Sequence, residues 1–374
     1  MIYLDHAATT RPHDDVVAAM ETYYRRHYQN PSAQYAADAA NGLAVAREQV
    51  ASLVGAAPDE IVVTGGGSEA DNLAIKGLLD DLDDGHVVTT TIEHPAIDAS
   101  CRWLQQQGYD VTRVSPREDG RVAPAAIEDA LHSETVLVSV MHANNETGVV
   151  QPLEEIAAIA RDHDVLVHSD TVQTAGKLPI DVEALELDMA SLSAHKFYGP
   201  KGVGALYIRE DVRGEIEPLI HGGGQEGGLR SGTENVPGIV GMGVAADRAL
   251  ADLDERAERL SALRDEFVEA VQDRTGGQLV GHPDHRLPGY ALFCFEGHDG
   301  STLVSELAAR DIAVSSGSAC HSDTPSASDV LLEMGVDVEV ALRAVRFSMG
   351  RHTTSDDVEE TVKALEEILG ATEP

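Results

Sequence analysis

The sequence predicts an α/β protein: a large domain on a mostly parallel sheet, and a smaller α+β domain toward the C-terminal end. Short β-branched runs alternate with amphipathic stretches from about residue 45 to about 210. Strands joined in this way by helices form right-handed crossovers over a sheet covered on both faces. After a glycine-rich interruption the pattern changes to long helical periodicity and then to isolated strands. The length, 374 residues, suits two domains and a sizeable core.

In chain order, residues 61–63, 87–91, 136–141, 165–169, 190–193 and 202–208 read as strands, and 69–82, 95–108 and 153–164 as helices. The segment HGGGQEGGLRSG, His221 to Gly232, interrupts the alternation. Residues 239–271, rich in Ala, Glu and Arg at helical spacing, predict one long helix. Residues 285–374 read strand, helix, strand, loop, helix, strand, helix. No internal repeat is evident.

Composition narrows the function classes. The chain carries 27 basic and 64 acidic side chains, a formal net charge of −37. That excludes nucleic acid as a partner, because phosphate binding needs a basic surface that releases counterions. No run of eighteen apolar residues occurs, and the opening MIYLDHAATT lacks a basic n-region and an apolar h-region. Neither a membrane span nor a secretory signal is expected. Three cysteines make no disulfide framework, so a reducing cytoplasm is the expected location. The acidic residues are dispersed, and the only lysines are Lys76, Lys177, Lys196, Lys201 and Lys363. Such charge would strain a compact state in dilute buffer. In molar salt the Debye length is only about 3 Å and the repulsion is screened. The expectation is a protein from a salt-accumulating, halophilic cell.

Four segments could carry chemistry. In Thr64-Gly65-Gly66-Gly67-Ser68-Glu69 an apolar strand runs through glycines into a helix, which suits a single phosphate at a helix N-terminus. Taken alone, a plain βα turn with Ser68 as cap explains it better. His168-Ser169-Asp170-Thr171-Val172-Gln173 ends a buried strand and points Asp170 into the crevice where open α/β sheets bind ligands. A helix cap explains that carboxylate about equally well. Ser193-Ala194-His195-Lys196 places one of the few lysines after a short apolar strand. A Schiff base needs an amine that can lose its proton, which arginine cannot do. Lys201 is the rival, and local pattern barely separates the two. A phosphate turn, a carboxylate and a lysine in one α/β domain make the set that pyridoxal 5'-phosphate requires. The fourth segment is Ser315-Ser316-Gly317-Ser318-Ala319-Cys320. Cys101 and Cys294 lie in apolar patterns and read as buried hydrophobes, whereas Cys320 sits in a small, polar loop and reads as reactive or incidental.

With these residues in view, the chain resembles the cysteine desulfurases of the NifS/IscS type, among the fold-type I, class V aminotransferase-like enzymes. The resemblance runs nearly end to end through YLDHAATT, TGGGSEADNLAIKG, EHPAI, MHANNETGVVQP, HSDTVQTAGKLPID, SAHKFYGPKGVGALYIR, HGGGQEGGLRSGTENV, SSGSAC and RFSMGR. It implies a seven-stranded, mostly parallel sheet in a large pyridoxal-phosphate domain over 12–245, and a small α+β domain from 1–11 and 246–374. It implies removal of sulfur from L-cysteine with release of L-alanine, through a persulfide on Cys320. The sulfur would pass to an acceptor protein, for iron–sulfur clusters or tRNA thiolation.

By motif, Lys196 would be the Schiff-base lysine, Asp170 the partner of the ring nitrogen and Gln173 that of the phenolic oxygen. His94 would stack on the ring and help move protons. Gly67, Ser68, Ser193 and His195 would bind the phosphate, and Thr233 the phosphate in the neighbouring subunit of a homodimer. Asn145 and Arg346 would hold the substrate carboxylate, and no metal is expected. Singly, each residue has a plainer reading: His94 as a helix-entry cap, Asn145 as a turn former, Arg346 as a surface ion pair. Gly67 stands where the family often has Ala, an exchange expected to be harmless because the contact is made by backbone. On the same fold, a selenocysteine lyase or a class V aminotransferase is the alternative enzyme; a sulfur-relay protein without turnover is the alternative of another class.

Overall fold

The fold is that of a computed structural model, which describes residues 1–79, 85–316 and 327–370. Strand β1 (Ile2–Tyr3) precedes helices α1 (Asp14–Arg25) and α2 (Ala37–Val54). The chain then alternates through β2 (Ile61–Thr64), α3 (Gly67–Leu79), β3 (His86–Thr90), α4 (Pro95–Gln107) and β4 (Asp110–Val114). It continues through α5 (Pro124–Ala130), β5 (Thr135–Ser139), α6 (Leu153–Asp162), β6 (Leu166–Asp170), β7 (Met189–Ser193) and β8 (Gly204–Ile208).

These strands form one seven-stranded sheet in the order β2-β8-β7-β6-β5-β3-β4. Strand β8 runs antiparallel to β2 and β7, and the other pairings are parallel. Alternate strand residues face opposite sides. Val62, Val87, Leu137, Met189 and Leu206 pack with Leu73 of α3 and Ile97 and Leu104 of α4. Their neighbours Val63, Val88, Val138, Ala190 and Ala205 pack with Val50 of α2, Ile156 of α6 and Met242. Edge strand β4 escaped the sequence reading because Asp110-Val111-Thr112-Arg113-Val114 is polar at alternate positions and only its last residue is buried.

The remaining elements are α7 (Val236–Ala251), α8 (Leu253–Thr275), β9 (Gln278–Leu279), β10 (Tyr290–Cys294), α9 (Gly300–Ala308) and β11 (Ile312–Ala313). After them come α10 (Asp329–Glu333), α11 (Val338–Ala341), β12 (Ala344–Ser348) and α12 (Ser355–Gly370). The single long helix expected over 239–271 is two. Asp252 leaves helical geometry (φ −121°, ψ 19°). Arg256 pairs with Asp252 and donates to the Ala249 carbonyl at 2.9 Å and the Gly176 carbonyl at 2.6 Å. The Ala249 bond satisfies a carbonyl that the end of α7 leaves open. The break lets α7 lie on α1 and α2 while α8 lies on α12.

Strands β12-β10-β9 form an antiparallel sheet, and β1 pairs in parallel with β11. Phe267, Phe293 and Phe347 interlock edge to face under this part. The first residues of the chain belong here: the Leu4 carbonyl accepts from Ser348 N at 2.7 Å, and Leu4 N donates to Ala313 O at 2.8 Å. Among the described residues no helix is long and apolar enough to cross a membrane.

Candidate active site

Three strands end at one place. Strands β2 and β7 both run antiparallel to β8, and β6 runs parallel to β7, so their C-terminal ends share one edge of the sheet. There they open a cavity of about 510 Å³ lined by Gly65 to Glu69, Asp71, His94, Met141, Asn145, Asp170, Val172, Gln173, Ser193, His195, Lys196, Lys201 and Gly202. Nine of the expected site residues meet here: Gly67, Ser68, His94, Asn145, Asp170, Gln173, Ser193, His195 and Lys196. Arg346 lies beside the cavity and Thr233 apart from it. Cys320 lies outside the described residues.

The phosphate end follows from β2, the glycine turn and the start of α3. Gly66 has φ +150°, and its neighbour Gly65 donates its N–H to Glu69 Oε2 at 2.8 Å. Glu69 is held in turn by Arg230 Nε at 2.8 Å. Helix α3 begins at Gly67, so the cavity wall holds the first N–H groups of a helix, which have no intrahelical partner. An added Cβ at Gly67 would meet Val172 Cγ2 at 2.7 Å. Alanine there, which the sequence reading expects to be harmless, requires the Val172 side chain to shift.

Lys196 follows β7 in a short 3₁₀ turn and reaches the N-terminal segment, donating to Ala7 O at 2.6 Å and Ala8 O at 3.0 Å. Burial, followed by the nearby Arg346 charge, lowers its amine to about 8. Lys201 is exposed, although it also borders the cavity. Of these two, Lys196 is the half-buried lysine tethered to the N-terminal segment. Asp170 is buried and accepts from Val172 N at 2.9 Å. The side chain of Gln173 is fixed at both ends: its amide donates to Ala7 O at 3.1 Å and its carbonyl accepts from the Tyr290 hydroxyl at 2.7 Å. His94 borders the cavity and also caps α4, its Nδ1 accepting from Ala96 N at 3.2 Å. His195 pairs through Nδ1 with the Thr9 hydroxyl at 3.1 Å, and burial lowers it to about 4.

Arg346, on β12, is not a surface ion pair. It is buried, with Nη1 on the Asn145 carbonyl at 2.8 Å, Nη2 on Asp5 Oδ1 at 2.7 Å, and Nε without a partner among the described residues. Thr233 is exposed. Cys101 and Cys294 are buried, which pushes their thiols up to about 12 and about 11. Neither is thiolate at neutral pH.

Sequence reasoning missed Asp5, Tyr290 and Asp71. Asp71 had a signal, one helical turn beyond Gly67 among the buried Ala70, Leu73 and Ala74. Asp5 and Tyr290 had none, because their partners lie far away in sequence.

The donor set fits a phosphorylated aromatic aldehyde: a lysine of lowered pKa, a buried carboxyl lining the same cavity, and a glycine turn at a helix start. The volume lies within the range of about 300–1,000 Å³ usual for cofactor pockets. The comparisons with known proteins agree. The aminotransferase class-V family matches residues 2–361. A cysteine desulfurase IscS of Dictyoglomus turgidum is 41% identical over 373 residues, covering 98% of this chain and 94% of its own. A solved NifS-like protein superposes with TM-score 0.93 at 39% identity, over 99% of both chains. A structure described as SspA in complex with cysteine gives TM-score 0.83 at 37% identity, over 95% of this chain and all of the other. Likeness of this extent, at this identity, assigns the chain to the class-V aminotransferase family, among its pyridoxal-phosphate-dependent cysteine desulfurases.

Proposed function

We propose that this protein converts L-cysteine to L-alanine and takes the released sulfur as a persulfide on Cys320. The observation that carries the reading is Lys196, lowered to about 8 and lining the same cavity as Asp170. Pyridoxal phosphate, when bound, supplies an electron sink for bond cleavage next to the substrate amine.

The chain's own residues would do the rest. Lys196 would hold the cofactor and then, with its amine free, move the proton of the substrate α-carbon. Asp170 would face the ring nitrogen, Gln173 the phenolic oxygen, and His94 the ring face. Gly67, Ser68, Ser193 and His195 would hold the phosphate. Asn145 and Arg346 would bind the substrate carboxylate, a geometry to which guanidinium brings a two-point fork. Cys320 would attack the substrate sulfur as a thiolate, forming the S–S bond as the C–S bond breaks.

We further propose a cytoplasmic homodimer in which Thr233 reaches the partner's cofactor phosphate, with an iron–sulfur scaffold or thiolation protein as acceptor. The net charge of −37 supports a protein adapted to high salt.

The test is release of alanine and sulfide from L-cysteine with pyridoxal phosphate and reductant, in molar KCl and in dilute buffer. Equal yields of both products are expected, with the higher rate in KCl. No alanine in either buffer overturns the reading. Cys320→Ser should keep the cofactor and lose sulfide release; unaltered release removes Cys320 from the mechanism. Sedimentation of an active monomer would remove the role given to Thr233.

A further inference from the structure

Three largely buried carboxyl groups cluster at the cavity, Asp71 and Asp170 in its lining and Glu93 behind them. Asp71 on α3, Glu93 just after β3 and Asp170 at the end of β6 are 1%, 8% and 6% exposed. Carboxyl oxygens of Asp71 and Asp170 lie within 4.8 Å of each other and of a His94 ring nitrogen. Two like charges this close in a dry site do not both persist. Their neighbours decide which is kept.

Asp170 accepts a backbone N–H from Val172 and borders the same cavity as Lys196 and His94. Burial raises Asp170 too, but positive charge on His94, the Val172 N–H and positive charge on Lys196 all oppose that shift and favour its ionised form. Asp71 shares the His94 neighbour but, among the described residues, has no lysine or arginine acting on it as Lys196 acts on Asp170. Its Oδ1 has no hydrogen-bond partner, the Ser191 hydroxyl is its hydrogen-bonding neighbour, and His168 Nε2 stands 4.0 Å away. That imidazole is clamped between the hydroxyls of Ser139 at 2.9 Å and Ser191 at 3.0 Å, and burial lowers it to about 3, so it is neutral. Glu93 accepts through Oε1 from the Thr90 hydroxyl at 2.7 Å and Met141 N at 2.9 Å, while its Oε2 is unpartnered.

We propose that Asp71 is a positioning residue: it keeps its proton at neutral pH and so leaves Asp170 as the carboxylate that faces the cavity. The inference rests on Asp170 being the group that meets the cofactor's ring nitrogen. Asp71 then supplies a neutral, hydrogen-bonded backing, and the network Ser139–His168–Ser191 fixes its orientation. Burial holds Asp71 well above the carboxylate range and Glu93 at about 8, in keeping with this assignment.

The test uses the full-length chain without cofactor. The native state would hold on Asp71 a proton that the unfolded chain gives up above about pH 4. One such proton lowers the folding constant by up to about tenfold per pH unit as pH rises. Asp71→Asn should therefore flatten the stability curve between pH 5 and 7 by up to that slope, and should remove one protonated-carboxyl infrared absorption. Glu93→Gln should remove a different one. Parallel stability curves, or an unchanged absorption in Asp71→Asn, overturn the proposal. If Asp71→Asn does not fold, absence of any protonated-carboxyl absorption from the wild-type chain at pH 7 overturns it as well. Uptake of pyridoxal phosphate is measured separately. A wild-type chain that binds none defeats the functional reading and leaves the result for Asp71 standing.

Discussion

The floor of the cavity and its substrate wall are built in opposite ways. The floor is local: β2 runs into the glycine turn and α3, β6 into Asp170 and Gln173, and β7 into Ser193 and Lys196. The wall is distant in sequence: Asp5 meets Arg346 across 341 positions, and Ala7 meets Lys196 across 189. A local floor forms wherever its strand forms. A wall of this kind exists only once the chain's beginning has joined its end, and Lys196, Gln173 and Arg346 all depend on that closure for their hydrogen bonds. The difference teaches that strand-end residues are placed by local structure, whereas the bonds that hold Arg346 and Lys196 wait on long-range closure.

Mutations can break this comparison, and the largest effect belongs where floor and wall meet. Lys196→Ala should lower alanine release by about 10³-fold or more, the scale of losing a proton-transfer group, and a rate within tenfold of wild type would contradict it. Arg346→Lys acts on the wall alone. Replacing the two-point fork by a point charge should cost about 10–100-fold in kcat/KM, mostly in KM, while equilibrium dialysis finds cofactor binding unchanged.

The lowered Lys196 amine gives a pH signature. A protonated amine does not attack an aldehyde, so capture of pyridoxal phosphate by the cofactor-free protein should quicken about tenfold per pH unit below pH 8 and level off above it. A plateau first reached near pH 10 would mean an unperturbed lysine.

The smallest effect belongs to the floor. Gly67→Ala should destabilise the fold by about 1–3 kcal/mol, the usual cost of overpacking, because the new Cβ meets Val172. Adding Val172→Ala should restore much of that loss in urea unfolding. If the double variant is no better than the single, the clash is not the cause.

Sequence by itself determined the alternation of strands and helices and which strand-end residues gather at the cavity. Each is written in residues adjacent along the chain: a β-branched run, a glycine turn, a carboxylate or lysine at a strand's end. Matched motifs also named Arg346 and Asn145, without showing what holds them. Only the tertiary structure decided that Lys196 rather than Lys201 is tethered to the N-terminal segment, since the two share one local pattern and differ in exposure. It decided as well that Asp252 breaks the long helix, that Asp5 and the Asn145 carbonyl hold Arg346, and that Asp71 stands against Asp170. Such pairings depend on which buried groups come within a few ångströms, and short-range periodicity carries no record of that.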